Sequence, residues 1–347
     1  MSDVKSSFSK FRDRPRVSVR VSDQELIKTG RLASGQDLPL LVEPAMGGVN
    51  LIDWASGHRS LVEEHLSRHG GVLFRGFGID SPEKLERLIA AVSSAPLRYT
   101  ERSSPRSQVA GNIYTSTDYP PERSIFLHNE QSYNLTFPLR ITFCCLVPAR
   151  SGGATPVADS RRVLTEIDAE VRARFEREGY LYVRNFGDGL GLSWQEAFQT
   201  SDPAEVEGYC RDHAIAWEWK EDGKRLRTRQ LRRAVAVHPR SGQRSWFNHL
   251  TFFHVSSLEP DVQASLRAEL REEDLPNNTY YADGSSIEPE VMEHLRGVYA
   301  RATVRFPWQQ GDVLMLDNML VAHGREPFAG ERRVITGMSD PVSWDEC

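Results

Sequence analysis

A histidine and a glutamate separated by a single residue are the first sign of metal chemistry in the sequence. His128 and Glu130 follow an apolar run at residues 125–127 that is typical of a short strand. Because residues i and i+2 of a strand point to the same face, the imidazole and the carboxylate would offer two neighbouring ligands. With a third ligand they would form a facial triad with open coordination positions, which suits non-haem iron(II). The pair alone is weak evidence, since such spacing also arises by chance in surface or capping pairs.

His323 is the candidate for the third ligand. It follows a predicted strand at residues 312–317 and the dipeptide Asp317-Asn318. Asp and Asn favour turns, so this dipeptide predicts either a plain turn before His323 or a residue pair that also orients the histidine ring. A strand, a turn and then a histidine would place a ligand at the end of a rigid element.

A candidate for anion binding follows His323. Arg333 lies ten residues beyond it, at the start of a predicted strand over residues 333–338. A guanidinium binds a carboxylate through two parallel hydrogen bonds, so Arg333 could hold the distal carboxylate of a dicarboxylic cosubstrate whose keto-acid end chelates the metal. Alternatively, Arg332 and Arg333 are a solvated basic pair beside Glu331.

Several blocks in the same order resemble the TauD/TfdA-type dioxygenases, a family named after taurine dioxygenase. Within that family they are most similar to the syringomycin-type amino-acid hydroxylases and the clavaminate synthase-like enzymes. The resemblance runs from about residue 70 to about residue 339. Several ordered blocks are far more specific than any single motif. The blocks are His128-x-Glu130, residues 152–160, Leu316-Asp317-Asn318 with His323, and Arg332-Arg333-Val334.

The resemblance implies a fold, a metal site and a reaction. The fold is mainly β with flanking helices, a double-stranded β-helix (jelly-roll) core with helical insertions. Iron(II) would be bound by His128, Glu130 and His323. The cosubstrate 2-oxoglutarate would be bound by Arg333 and by Thr155, 27 residues after His128. With O₂, such an enzyme converts 2-oxoglutarate to succinate and CO₂ and hydroxylates an unactivated C–H bond. The same chemistry can desaturate, cyclise or epoxidise, and sequence does not fix which.

Two departures from taurine dioxygenase narrow the substrate. That enzyme has a second arginine, for the substrate sulfonate, four residues after the cosubstrate arginine, where this chain has Gly337. Taurine is therefore not the expected substrate. The carboxylate ligand is Glu130 rather than the aspartate of the sulfonate branch, which fits the amino-acid hydroxylases better. Related halogenases lack this carboxylate, so Glu130 also argues against halogenation.

The predicted substrate contacts lie near the ligands and in an aromatic stretch at residues 244–254. Similar stretches occur in the amino-acid hydroxylase branch, so Asn248 and His249 are candidates for the substrate pocket. Tyr133, three residues after Glu130, is another. Packing is the commoner use of aromatic residues and half-buried histidines, and it stays open as the alternative for all of them.

Hydrophobic periodicity predicts short strands and two helices around these motifs. One helix begins at Ser81-Pro82 and continues through Val92, and a second runs through Val163 and Phe175 to Gly179. Scattered strands with long insertions favour a β-sandwich or jelly roll over a doubly wound parallel sheet. The strands are predicted at residues 71–77, 125–127, 140–147, 180–186, 302–306, 312–317 and 333–338.

Length and composition indicate a globular protein with one catalytic domain. The 347 residues include 39% hydrophobic and 26% charged residues, with a net charge of −5. We expect a polar arm at residues 1–35 and a single domain at 36–347, with a mostly helical or irregular insertion at about 190–300. No apolar run is long enough to span a membrane and no secretory leader is evident, which predicts a cytoplasmic location. Four cysteines without paired spacing are expected to be reduced.

The expected partner is a small-molecule substrate, either free or carried on a carrier protein, with no nucleic acid or membrane partner. Homo-oligomers stay open. Two other classes were weighed: a non-catalytic jelly-roll binding protein, and a zinc hydrolase using the same three ligands. The joint presence of His128, Glu130, His323 and Arg333 argues against a pure binding protein, which needs no open metal face.

Overall fold

The structure is a computed structural model that describes residues 26–32, 36–97, 101–103, 106–116, 118–187, 191–221 and 223–347. Within these ranges the α-helices are α1 (Leu51–Gly57), α2 (Arg59–His69), α3 (Pro82–Val92), α4 (Ser160–Glu166), α5 (Ala169–Glu178), α6 (Trp194–Phe198), α7 (Pro203–Asp212), α8 (Leu250–Phe253), α9 (Pro260–Glu269) and α10 (Pro289–Ala302). Among the described residues, no helix is both long and apolar enough to cross a membrane.

The strands of the same ranges are numbered in chain order. They are β1 (Ile27–Gly30), β2 (Leu40–Pro44), β3 (Gly71–Phe74), β4 (Gln108–Ala110), β5 (Ile113–Thr115), β6 (Ile125–His128), β7 (Thr136–Val147), β8 (Ser151–Gly152), β9 (Val157–Asp159), β10 (Tyr180–Phe186), β11 (Ala216–Lys220), β12 (Arg225–Arg232), β13 (Ala236–Val237), β14 (Arg244–Ser245), β15 (Asn277–Tyr281), β16 (Thr303–Val304), β17 (Val313–Asp317), β18 (Val321–Arg325), β19 (Phe328–Ala329) and β20 (Arg333–Ser343).

Two sheets enclose a hydrophobic core. The larger has eight strands in the order β1-β2-β3-β17-β7-β20-β5-β4, and the smaller has the order β16-β9-β18-β6. Apolar side chains from both sheets meet between them, among them Phe143 and Val334 of the large sheet and Val157 and Val321 of the small one. The opposite face of the large sheet is covered by α1, α2 and α3. The protein is therefore a mixed structure of helices and large sheets.

A third sheet lies in the region predicted as a mostly helical or irregular insertion. Strands β12 and β15 pair with β10, and β11 pairs with β12, which gives the order β11-β12-β10-β15. The sequence of β12, Arg-Leu-Arg-Thr-Arg-Gln-Leu-Arg, alternates arginines with other residues and so lacks the apolar signature of a strand. The expected mostly helical or irregular insertion therefore also contains strands, which local apolar patterning did not indicate because they are stabilised by pairing with β10 and with one another.

Most predicted elements are confirmed, with two corrections. Helix α3 begins after Ser81, whose Oγ accepts a hydrogen bond from the backbone N–H of Lys84 at 3.3 Å. The second predicted helix is two helices, α4 and α5, because Asp168 interrupts it and caps α5 by accepting from the N–H of Glu170 at 3.0 Å. The predicted strand at residues 302–306 shrinks to β16, since α10 continues to Ala302.

The predicted polar arm at residues 1–35 falls mainly outside the described residues. Its described part includes β1, which pairs antiparallel with β2 at the edge of the large sheet. The four cysteines are unpaired; Cys144 and Cys145 lie in β7 and are buried, as predicted for packing residues. Burial raises the pKa of both of these thiols to about 12, so they stay protonated at neutral pH.

Candidate active site

The three predicted metal ligands converge between β6 and β18. His323 of β18 is the register partner of His128 of β6, and their ring centroids are 4.6 Å apart. Strand β6 ends at His128, so Glu130 is brought beside the two rings by the following turn rather than by strand alternation. One ligand atom from each of the three side chains lies within 4.8 Å of the others, and all three residues are buried.

Both imidazoles are neutral, and a hydrogen bond orients that of His128. His128 Nδ1 is 2.8 Å from the carbonyl oxygen of Phe126, which leaves Nε2 for a metal. His323 Nε2 is 3.8 Å from Glu130 Oε2. Burial lowers the pKa of His128 below its ordinary value. Burial, and then the charge that His128 would carry, lowers the pKa of His323 well below its ordinary value. Neutral imidazoles have the free lone pair that a metal requires.

These side chains fit an iron(II) ion. Two neutral nitrogens and one carboxylate on one side of a buried site make the facial set of non-haem iron oxygenases. The buried Nδ1 of His323 has no hydrogen-bond partner among the described residues, so this ring is not held as a satisfied structural histidine would be.

Asn318 holds the main chain of the carboxylate ligand. Its Oδ1 accepts from the N–H of Glu130 at 2.7 Å, and its Nδ2 donates to the carbonyl oxygens of Glu130 and Pro138 at 2.9 and 2.8 Å. Asp317 forms the predicted turn, because its Oδ1 accepts from the N–H groups of Met319 and Leu320. The dipeptide Asp317-Asn318 therefore shapes the turn, and its asparagine positions Glu130 rather than His323.

Replacing Asn318 by alanine is expected to lower the free energy of unfolding by about 2–4 kcal/mol, because buried groups of Glu130 and Pro138 lose their partners. Mn(II) binding, followed by the decrease of the free-ion signal in electron paramagnetic resonance, should weaken in parallel. Asn112→Ala removes an amide from the turn between β4 and β5 and is the control. Unchanged stability and Mn(II) affinity in Asn318→Ala would show that Glu130 is held by other contacts.

The structure places Arg332, not Arg333, beside Thr155. Arg332 Nη2 is 3.4 Å from Thr155 Oγ1, and its Nε donates to the carbonyl oxygen of Gly153 at 2.9 Å. Trp308 Nε1 donates to the same Thr155 oxygen at 3.1 Å. Arg333 is exposed at the start of β20. Of the two adjacent arginines, Arg332 is therefore the one that lies beside Thr155, and the cosubstrate role of Arg333 stays a prediction.

The alternation of β20 explains this arrangement. Val334 packs in the core between the two sheets, whereas Ile335 packs against α1–α3 on the opposite face. Neighbouring residues of a strand face opposite ways, so Arg333, the first residue of β20, shares the outer face with Ile335. Arg332 immediately precedes the strand and lies beside Thr155 instead. Burial, and then Arg325, lowers the pKa of Arg332 to about 10, so it stays protonated at neutral pH.

The alternation of β20 also decides which position could hold a second arginine like that of taurine dioxygenase. A Cβ at Gly337 would meet Ile89 of α3, so this position faces away from the core between the sheets. Four residues after Arg332 is Thr336, which is buried and donates its hydroxyl to the carbonyl oxygen of Thr142 at 3.1 Å. Neither position carries a cation.

The aromatic stretch reaches the ligands through α8. The ring of His249 lies 5.1 Å from that of His128, and Phe252 stacks on His128 at 4.7 Å. His249 Nδ1 is 2.6 Å from Ser132 Oγ. Burial, and then the charge that His128 would carry, lowers the pKa of His249 well below its ordinary value, so it is a neutral polar group next to the metal ligands.

The other two predicted substrate residues are used by the chain itself. The side-chain amide of Asn248 forms two hydrogen bonds with the backbone. Its Nδ2 donates to the carbonyl of Ala234 at 2.8 Å, and its Oδ1 accepts from the N–H of Leu250 at 3.0 Å. Tyr133 is fully buried, packs edge-on against His249 at 4.9 Å and donates its hydroxyl to a backbone carbonyl, that of Glu101. These contacts fit the packing alternative for Asn248 and Tyr133, and their predicted substrate roles stay predictions.

Two residues of the site were not identified from the sequence. Arg106 Nη2 donates to Glu130 Oε2 at 2.6 Å, with both side chains buried. Trp308 contacts Thr155 as described above. Arg106 stands in the polar segment Arg102-Ser103-Ser104-Pro105-Arg106, which has no periodicity or motif that could mark it. Trp308 follows β16 in a segment without regular secondary structure, and only its aromatic type suggested burial.

Comparison with known proteins defines the class. The family model described as taurine catabolism dioxygenase TauD, TfdA family, matches residues 34–339. The chain belongs to this family, and it is an iron(II)- and 2-oxoglutarate-dependent dioxygenase whose cofactor and cosubstrates are Fe(II), 2-oxoglutarate and O₂.

Individual relatives agree with this class. The chain is 42% identical to the dapdiamide synthesis protein DdaC of Enterobacter agglomerans over 311 residues, which cover 90% of this chain and 94% of that protein. It is 29% identical to a clavaminate synthase-like protein of Arabidopsis thaliana over 282 residues, 79% of this chain and 82% of that protein. The fold is similar to that of PvcB, described as an Fe, alpha-ketoglutarate dependent oxygenase from an isonitrile synthetic pathway, with a TM-score of 0.52 and 18% identity over 92% of this chain and 93% of PvcB.

Proposed function

We propose that this protein hydroxylates an unactivated C–H bond of an amino acid or related biosynthetic intermediate, with iron(II) bound by His128, Glu130 and His323. The observation that carries the proposal is the convergence of these three buried side chains, whose ligand atoms lie within 4.8 Å of one another. The carboxylate of Glu130 argues against halogenation, since it would occupy the position that a halide needs.

We propose that Arg332 and Thr155 bind the distal carboxylate of 2-oxoglutarate. Arg332 is half-buried and cationic, and Thr155 already lies between it and the indole N–H of Trp308. A guanidinium and a hydroxyl that can donate together suit a carboxylate. The cation–π contact of Arg332 with the Phe328 ring, 5.5 Å from its centroid, helps to fix the guanidinium plane.

When bound, iron(II) with 2-oxoglutarate and O₂ supplies the oxidising power, and succinate and CO₂ are released. The chain's own residues orient and shield the site. The Phe126 carbonyl fixes the tautomer and direction of the His128 ring. Phe143 packs edge-on against His323 at 5.0 Å, and Phe252 stacks on His128, so apolar side chains replace water around the ligands.

The substrate is proposed to approach near His249. The neutral imidazole of His249, immediately before α8, is a polar group that lies against the ligands. It can donate or accept a hydrogen bond, depending on which partner supplies the proton in its contact with Ser132. With no cation at Thr336 or Gly337, a sulfonate such as that of taurine is not expected. Desaturation, cyclisation or epoxidation of the same substrate remain alternative outcomes of the same site.

We propose that the two sheets form a double-stranded β-helix, or jelly-roll, core within a single catalytic domain at residues 36–347. Their shared core and the ligands at the β6–β18 pair support this assignment. The unpaired cysteines fit a reducing, cytoplasmic compartment. The role in dapdiamide synthesis that the name of the relative DdaC states supports a biosynthetic substrate, either free or carried on a carrier protein. Homo-oligomer formation stays open.

A substrate screen tests this proposal. Purified protein with Fe(II), 2-oxoglutarate and O₂ is presented with amino acids, free and loaded on a carrier protein, and succinate and a product heavier by one oxygen atom are measured by mass spectrometry. A substrate-dependent rise in succinate with that mass gain is the expected result. Succinate release with a loss of two hydrogens would replace hydroxylation by desaturation, and absence of any 2-oxoglutarate turnover would contradict the proposal.

A further inference from the structure

The hydroxyl of Thr155 has its direction set by two neighbouring side chains. The indole Nε1 of Trp308 donates to Thr155 Oγ1 at 3.1 Å, and Arg332 Nη2 donates to the same oxygen at 3.4 Å. An indole N–H and a guanidinium can only donate, so the threonine oxygen is the acceptor in both contacts. A hydroxyl has two acceptor lone pairs and one hydrogen. With both lone pairs engaged, the hydrogen of Thr155 is left to donate.

This hydrogen has no protein acceptor within the described part of the chain. The Thr155 hydroxyl forms the two hydrogen bonds above and no other, and the residue is only 3% exposed. A buried donor without a partner is costly, and a bound acceptor removes that cost. An ionised carboxylate only accepts hydrogen bonds, so it matches both this hydrogen and the charge of Arg332.

The backbone on both sides of Trp308 is held by one ion pair. The guanidinium of Arg75 donates to the two oxygens of the Asp312 carboxylate at 3.0 and 2.7 Å, and that carboxylate is fully buried. Arg75 Nη2 also donates to the carbonyl oxygen of Pro307 at 2.9 Å. On the other side, Asp312 Oδ2 accepts from the N–H of Gln309 at 2.8 Å. The residues before and after Trp308 are therefore fixed together.

The ring of Trp308 is packed as well. It lies edge-on to the Phe306 ring at 5.3 Å and belongs to the hydrophobic core between the two sheets. Only 8% of the residue is exposed. Since both the backbone and the ring are held, the indole has little freedom to turn its N–H away from Thr155.

We propose that Trp308 is a positioning residue of the cosubstrate site: its indole N–H keeps Thr155 Oγ1 an acceptor, so that the hydroxyl hydrogen is donated to the distal carboxylate of 2-oxoglutarate. This inference rests on the proposed binding of 2-oxoglutarate by Thr155. It assigns Trp308 no contact with 2-oxoglutarate or with the metal.

A double-mutant cycle tests the inference. Trp308→Phe keeps an aromatic ring and removes the N–H, Thr155→Val nearly keeps the shape and removes the hydroxyl, and a third variant carries both changes. The control is Trp219→Phe, which removes an indole N–H that donates to Glu207 at 2.9 Å beside the third sheet. Each protein is loaded with Mn(II) and titrated with 2-oxoglutarate by calorimetry. Mn(II) affinity is measured separately by electron paramagnetic resonance.

Thr155→Val should weaken 2-oxoglutarate binding about 10- to 100-fold, the scale of one hydrogen bond to a charged group. Trp308→Phe should weaken it about 3- to 10-fold, because the hydroxyl remains but must be ordered on binding. The double variant should bind as weakly as Thr155→Val alone, since the indole acts through the hydroxyl. Mn(II) affinity should change by less than about threefold in every variant, because neither side chain is a proposed ligand. The Trp219→Phe control should bind 2-oxoglutarate as the unaltered protein does.

Unchanged 2-oxoglutarate affinity in Trp308→Phe would overturn the inference, and so would losses that multiply in the double variant or a parallel loss of Mn(II) affinity. If Trp308→Phe does not fold, replacing Trp308 with benzothienylalanine, which has sulfur in place of the N–H, gives the same comparison at nearly constant shape. Normal 2-oxoglutarate binding in Thr155→Val, or none in the unaltered protein, would instead reject the proposed cosubstrate site and the inference with it.

Discussion

Replacing Arg332 by leucine is expected to weaken 2-oxoglutarate binding roughly 30- to 5000-fold, whereas Arg333→Leu is expected to leave it unchanged. The reason is the alternation of β20, which points Arg332 toward Thr155 and Arg333 to the surface. Removing one partner of a buried, hydrogen-bonded charge pair costs about 2–5 kcal/mol, and about 1.4 kcal/mol is a factor of ten in affinity. The dissociation constant is measured by isothermal titration of the Mn(II)-loaded protein with 2-oxoglutarate.

The two leucine variants control each other, since they remove the same side chain from adjacent positions. Weak binding in Arg333→Leu with normal binding in Arg332→Leu would contradict the structure and restore the assignment by sequence spacing.

The pKa of Arg332, lowered to about 10 by burial, also predicts that 2-oxoglutarate affinity stays constant from pH 7 to about pH 9 and falls above the pKa, where the guanidinium loses its charge. Bound 2-oxoglutarate, a dianion, stabilises the charged form of Arg332 and would therefore move this fall in affinity to higher pH.

Replacing Glu130 by alanine is expected to lower 2-oxoglutarate turnover by about a thousandfold or more. The carboxylate is the anionic member of the proposed ligand set, and a metal centre contributes several kcal/mol to the reactions it supports. The loss should appear in succinate formation and in the metal content of the purified protein. It should also remove the carboxylate that Arg106 contacts at 2.6 Å.

The matched control for this variant is Glu331→Ala, which removes an exposed carboxylate beside Arg332. It should keep both metal content and turnover. If Glu130→Ala retained Mn(II) binding and succinate formation at the level of this control, Glu130 would not be a ligand. His128→Ala and His323→Ala should show the same losses as Glu130→Ala.

Strand β6, which carries His128, was predictable because it is apolar and locally patterned. Strand β10 was predicted with its observed bounds, and β6, β7 and β17 were predicted nearly so. Strand β18, which carries His323, was not predicted, and the joint role of the three ligands came from the resemblance of several ordered blocks rather than from local patterning. The third sheet was missed because β12 is rich in arginine and gains its stability from the strands on either side.

Two features of the site depend on tertiary structure that spacing does not encode. Strand alternation places Arg333 at the surface while Arg332 contacts Thr155, and a count of residues from His323 does not reveal this difference. Arg106 reaches Glu130 from a polar segment 24 residues earlier in the chain. No local pattern records that contact.

Anaerobic addition of Fe(II) and 2-oxoglutarate to the unaltered protein tests the metal site most directly. A visible charge-transfer band should appear only when both are present, saturate at one 2-oxoglutarate per chain, and weaken strongly in Glu130→Ala. Absence of the band in protein that retains its fold, or activity that follows zinc and ignores 2-oxoglutarate, would contradict the assignment of His128, Glu130 and His323 as the iron ligands of a 2-oxoglutarate-dependent oxygenase.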